Sequence, residues 1–216
     1  MVSRMFGSAR VSWASVGSVV VAAAALAVAS PAAAGATEIK GCVITSPADG
    51  TVCTGMDLSG ADLAGLNLSG ADFSGSNLSG ADLSGVVGFG GRFTGANLRG
   101  ANLAGSSFGR ADFHHASLAN ADLTNAALSD TMLDQADLTR TGLSGTDFTV
   151  SYLRDTDLSH ARFAGTKFFG AQVCGANIFG TDPSAASNLD TSCTVSEGPA
   201  TPLPVPAPVP GGLFGS

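Results

Sequence analysis

From Leu58 onward a large apolar side chain returns at every fifth residue: Leu58, Leu63, Leu68, Phe73, Leu78, Leu83. The beat runs to Ile178 without an insertion, giving 25 centres, of which 15 are Leu and 7 are Phe; the others are Gly88, Val173 and Ile178. A helix turns about 100° per residue, so this spacing would scatter the leucines over every face. A strand alternates faces, so an odd spacing would send successive centres to opposite sides. Both are excluded. A chain that runs straight for a few residues, bends, and runs straight again can aim every centre at one axis. Four such sides make a square coil of about twenty residues, and stacked coils pair at the usual interstrand spacing of about 4.8 Å. Fixed self-similarity of this kind marks a solenoid.

A period of twenty supports four sides rather than three. Leu58, Leu78, Leu98, Leu118, Leu138, Leu158 and Ile178 are all aliphatic, whereas Phe73, Phe93 and Phe113 follow one another on a second side. Around each centre the polar positions also keep phase. Two residues before it the chain favours Ala, with Ser or Thr as substitutes able to hydrogen-bond the corner backbone. One residue before it stand nine Asp and five Asn, which face outward and can bond near the turn. Two residues after it every unit from Gly60 to Gly105 has Gly, and the next seven, Arg110 to Arg140, have none. Gly accepts positive φ, so the N-terminal half is expected to use a different turn type from the middle. The stretch "VVGFG" puts Gly88 where a large centre belongs. Either Phe89 rotates inward to fill that hole, or Phe108 leans into it from the next coil.

The units "ADLSG", "ADFSG", "ANLRG" and "ADLTN" resemble the pentapeptide repeat family, whose consensus is close to A-(D/N)-L-x-x. The resemblance implies an all-β solenoid of the right-handed quadrilateral β-helix type; the 25 units make about six coils, and the cysteines described below are expected to tie its ends. It implies little about function, since the family hosts several. Some members resemble DNA in shape and charge and bind DNA gyrase in the cytosol, dimerising through a C-terminal helix. This chain departs from them in three features described below: an export signal, paired cysteines, and a Pro-rich tail.

The expected organisation is a signal peptide at 1–34, an N-terminal cap hairpin at 35–55, the repeats at 56–180, a C-terminal cap at 181–196 and a Pro-rich tail at 197–216. Arg4 and Arg10, an apolar run from Val16 to Ala29 and the small residues after it read as a secretory signal cut near Ala34, with an uncleaved anchor as the alternative. No membrane span is expected after cleavage. The hairpin is expected to pair Cys42–Thr45 with Thr51–Thr54. Four cysteines allow three pairings. Proximity favours Cys42 with Cys53 and Cys174 with Cys193, because the other two pairings would have to bridge the length of the tube. An exported protein meets the oxidising environment such bonds need. No C-x-x-C pair or nearby His supports a metal site instead.

Charge narrows the function. The whole chain carries 10 Lys and Arg against 17 Asp and Glu. Without Arg4 and Arg10 that is 8 against 17, a net charge of −9. Nucleic-acid binding needs a basic footprint and is not expected. No nucleophile elbow, zinc motif or phosphate loop is present, so neither catalysis nor a cofactor is expected. Arg92, Met132, Tyr152 and Gln172 share one side of the coil and make it look less acidic than the others, so that side is the candidate interaction face. The reading that follows is a monomeric, secreted or envelope-associated module that binds a protein or wall component. The alternatives are a structural spacer without a specific ligand and, further off, a gyrase-binding DNA mimic.

Overall fold

Each five-residue unit has five backbone N–H groups, and the fold finds an acceptor for all of them where the consensus is kept. In the computed structural model, which describes residues 37–45 and 50–190, the unit around Leu58 shows the scheme. The Leu58 N–H donates to Asn77 O at 2.7 Å and the Gly60 N–H to Ser79 O at 2.8 Å, both in the next coil. Ala61 N–H closes the corner onto Leu58 O at 3.0 Å. The outward residue bonds back to the previous coil, as Asn77 N–H does to Met56 O at 2.8 Å. The fifth donor, on Ser59, is taken by the Asp57 carboxylate at 3.1 Å. The same bond recurs from Ala64 to Asp62, Ser74 to Asp72, Ser84 to Asp82 and Thr124 to Asp122. This is the physical reason for Asp or Asn at that position: it supplies an acceptor the ladder lacks.

Every outward residue pairs in parallel with the residue twenty positions on, from Val52↔Asp72 to Asp157↔Asn177. The rungs fall into four columns, so the coil is four-sided with twenty residues per turn. The sides are single rungs rather than long strands. The first face carries Val52, Asp72, Arg92, Asp112, Met132, Tyr152 and Gln172; the second begins at Asp57, the third at Asp62 and the fourth at Asn67. Inside, Leu58, Leu78 and Leu98 are fully buried in one column. Phe73, Phe93 and Phe113 stack behind the first face with centroids 5.3 and 4.8 Å apart. Each buried centre of this size contributes about 1.5–3 kcal/mol. Ser and Thr in the inward Ala position are all bonded. Ser76, Ser106, Thr131 and Thr156 give their hydroxyls to the preceding centre's carbonyl, at 2.6–2.7 Å.

All corners share one turn, and the expected change of turn type is not found. In the glycine-rich half, φ at the third turn residue is 62–70° from Gly60 to Gly105. In the middle, Arg110, His115, Asn120, Asn125, Asp130, Gln135 and Arg140 have φ of 57–61°. The residue before each has no positive φ, the φ pattern of a type II turn. The ladder on both sides fixes the corner strongly enough to hold side chains where glycine is preferred. Asn, Asp and His tolerate this region; a β-branched residue does not. Val150 nonetheless sits there at φ 53° with an exposed side chain. Val150→Asn is therefore expected to stabilise the fold by about 1 kcal/mol, read as a higher urea midpoint; a lower midpoint would contradict the account.

The irregular unit resolves in favour of Phe108. A Cβ on Gly88 would lie 2.3 Å from the Phe108 ring, whereas Phe89 stays exposed with Arg110 5.7 Å over its face. The N-terminal end also differs from expectation. β1 (Thr37–Ile39) pairs antiparallel with β2 (Cys42–Ile44), so the cap hairpin turns at Lys40–Gly41. Residues 51–54 do not pair with β2. Val52 is the first rung of the tube, and Cys53 is a buried centre in phase with Leu58. At the other end β3 (Thr166–Lys167) pairs in parallel with β4 (Ala186–Ser187), after a short 3-10 turn at Pro183–Ala185 capped by Asp182. The leader, the Pro-rich tail and Cys193 lie outside the described residues.

Candidate functional site

The rungs Arg92, Met132, Tyr152 and Gln172 do fall in one column, with Asp112 between Arg92 and Met132. Four rung spacings separate Arg92 from Gln172, about 19 Å at the usual interstrand distance. Met132 is exposed and Tyr152 half-buried. Beside them the corner column Thr94, His114, Asp134 and Arg154 forms a continuous polar rail. Thr94 Oγ1 donates to Asp112 Oδ2 at 2.9 Å, and His114 Nδ1 lies 2.8 Å from Asp112 Oδ1. His114 Nε2 is 3.7 Å from Asp134 Oδ2. Asp134 Oδ1 accepts the Arg154 N–H at 2.8 Å, replacing the acceptor that Tyr152 lacks. The Arg154 guanidinium reaches Gln172 Oε1. Single residues met along the chain do not show this rail; counting the corner positions in twenties would have.

The first face is not the least acidic. Its charged rungs are Asp72, Arg92 and Asp112, whereas the fourth face has only Asp147 and Lys167 among its rungs. The carboxylates of the repeats serve as turn acceptors. Hydrogen bonds from Ser59 hold Asp57 below the usual carboxylate range, and the Ser84 N–H does the same for Asp82. Burial opposes ionisation of Asp72, Asp112 and Asp157, but donors on Ser74, His114 and Ser159 outweigh it and lower all three. A carboxyl lowered by folding stabilises the native state at pH above its unfolded value, near 4, and loses that contribution as pH falls through the folded value. The thermal midpoint is therefore expected to stay level from about pH 8 to pH 5 and to drop below about pH 4. A midpoint that rises on acidification would contradict the assignment.

Among the described residues no group of three or more His, Cys, Asp or Glu is placed to hold a metal ion. None of their helices is long and apolar enough to cross a membrane. Cys42 and Cys53 are disulfide-bonded, with Cα atoms 5.5 Å apart. Cys174 is also in a disulfide; its expected partner Cys193 lies outside the described residues.

A family model described as pentapeptide repeats matches residues 49–87, 92–130 and 116–155, in eight copies. The chain belongs to the pentapeptide repeat family. Solved pentapeptide repeat structures are similar to it. HetL, a pentapeptide repeat protein involved in heterocyst differentiation regulation from the cyanobacterium Nostoc sp. strain PCC 7120, is 22% identical, with 62% of this chain and 87% of HetL covered and a TM-score of 0.38. QnrB1, a plasmid-mediated fluoroquinolone resistance protein, is 24% identical over 62% of this chain and 71% of its own, with a TM-score of 0.45. A pentapeptide repeat protein of the Arabidopsis thaliana thylakoid lumen is 32% identical over 52% of this chain and 65% of its own, with a TM-score of 0.18. A search of curated proteins finds no match.

Proposed function

We propose that this pentapeptide repeat protein is a non-enzymatic, rigid interaction module, exported to the cell envelope or beyond, that binds a protein or wall component through its first face. In this reading the coil is right-handed, of about six turns, and tied at its ends by Cys42–Cys53 and Cys174–Cys193. The observation that carries it is the use of the repeat carboxylates. Asp57, Asp62, Asp72, Asp82, Asp112, Asp122, Asp137, Asp147 and Asp157 each accept a turn N–H, which ties them to the fold rather than to chemistry. Against that regular polar surface, Met132 and Tyr152 interrupt the first face with adjoining apolar rungs beside the Arg154–Gln172 contact. A flat face of fixed spacing suits recognition better than catalysis, since nothing in it encloses a substrate.

Substituting Met132→Asp together with Tyr152→Asp tests the face. Both side chains point outward, so stability should change by less than about 0.5 kcal/mol per site. Retention of the oxidised mature protein on isolated cell envelope should fall to background. Unchanged retention of the folded double variant would remove the first face from the reading.

A further inference from the structure

The third face carries Asp62, Asp82, Asn102, Asp122, Gly142 and Arg162. Gly142 breaks the series where the repeat places a carboxylate or amide. Its N–H and C=O stay in the ladder, bonded to Ala121 O at 3.0 Å and Leu123 N at 2.8 Å. Its φ is not in the left-handed region, so the backbone does not demand glycine here. The missing side chain has two consequences. It opens a depression of about 390 Å³ on the surface. It also removes the acceptor that other units give to the residue after the centre: among the described residues no acceptor meets the Ser144 N–H, the counterpart of the Thr124 N–H held by Asp122 at 2.9 Å.

Two arginines line that depression. Arg140 comes from the corner before Gly142, and Arg162 is the next rung on the face. Among the described residues neither is paired with a carboxylate, although Arg92, Arg99, Arg110 and Lys167 all are. Thr124 and Ser144 line the same space. Asp122 borders it from the previous rung, leaving two positive charges against one negative. On a chain of net charge −7, this is a local reversal of sign.

We infer that the notch at Gly142 binds a compact oxyanion, the carboxylate or phosphate group of a larger molecule, in the place of the missing repeat carboxylate. The anion accepts the Ser144 N–H as an aspartate at 142 would, and the Arg140 and Arg162 guanidinium groups close on it with charge-assisted hydrogen bonds. The depression has room for more than the anionic group itself, so the rest of the molecule lies along the face. This site is on the side of the coil opposite the Met132–Tyr152 face and does not depend on that face's role.

The test uses the full oxidised chain, labelled for NMR and titrated at constant ionic strength with inorganic phosphate in one arm and acetate in the other. The Ser144 amide and the Arg140 and Arg162 Nε–H signals should shift saturably, while those of Arg92 and Arg99 stay still. Arg162→Gln should weaken binding at least about tenfold, the loss of one charge-assisted bond. Gly142→Asp restores the repeat consensus, so the fold should hold and the binding should vanish. Saturation by phosphate alone identifies a phosphate-bearing ligand, by acetate alone a carboxylate-bearing one, and by both an oxyanion site without further selection. Linear shifts shared by all arginines, no shifts in either arm, or saturation that survives Gly142→Asp would overturn the inference.

Discussion

Gly88→Leu is expected to be the most damaging single change in the tube, and Phe108→Leu is expected to rescue it. The column behind the fourth face reads Leu68, Gly88, Phe108, Leu128, Phe148, Phe168. Gly88 looks like a defect but is half of a matched pair. A Cβ there would lie 2.3 Å from two atoms of the Phe108 ring, far inside any real contact. That ring is fully buried and held edge-on by Phe93 and Phe113, with centroids 5.3 Å away and interplanar angles of 87° and 83°. It has no low-energy way to yield. Overpacking usually costs about 1–3 kcal/mol, and a whole leucine against a locked ring should reach about 3 kcal/mol or more. Phe108→Leu alone leaves a hole beside Gly88 and should cost about 2 kcal/mol through the lost contacts and the cavity. The double variant restores the Leu-on-Leu packing seen at other centres. It should lie within about 1 kcal/mol of the parent, giving a coupling of several kcal/mol in a double-mutant cycle. Chemical denaturation of the four proteins measures it; additive losses would show that the two sites are not complementary.

That pair also shows where sequence reasoning stops. The five-residue beat made the tube legible, because only a coil can bury centres at that spacing, and the beat of twenty sorted the columns that the rungs later displayed. It could not choose between Phe89 and Phe108. Both are adjacent to the hole, and the choice depends on ring packing against Phe93 and Phe113, which no local pattern records. Turn type is not legible in the sequence for a related reason. Glycine content reports what a corner tolerates, not what it adopts, and the ladder imposes one conformation on Gly60, Asn120 and even Val150. Cys53 falls within the expected cap hairpin, yet it keeps phase as a buried centre five residues before Leu58. The polar rail through His114, Asp134 and Arg154 and the vacancy at Gly142 arise from residues twenty apart. They become visible only after the faces are known.

The second large effect is expected at the N-terminal end. Stacked coils leave their last layer open, and an open layer frays, because each coil is stabilised by its neighbours alone. Here the hairpin of β1 and β2 lies against that layer, burying Cys42 and Ile44 in the same core as Cys53 and Leu58. It is attached by the Cys42–Cys53 bond, by the Lys40 ammonium on Ser59 O, and by the Thr45 N–H on Thr51 Oγ1 at 2.9 Å. The bond spans 11 residues, and closing a loop of that length is worth about 3 kcal/mol. Cys42→Ala with Cys53→Ala should therefore lower stability by about 2–4 kcal/mol, a larger share than a core methyl or a surface pair. The loss should be local as well. Amide exchange should accelerate at Leu58, Leu63 and Leu68, whose donors bond to the second coil, and should hardly change at Leu138 or Leu158, which lie several rungs away. The double variant is preferable to a reducing agent, because Cys174 is also disulfide-bonded and reduction would break that bond too. Unaltered exchange at Leu58 would show that packing alone holds the hairpin. Acceleration spread evenly from Leu58 to Leu158 would show instead that the tube melts as one unit and that no end is capped independently.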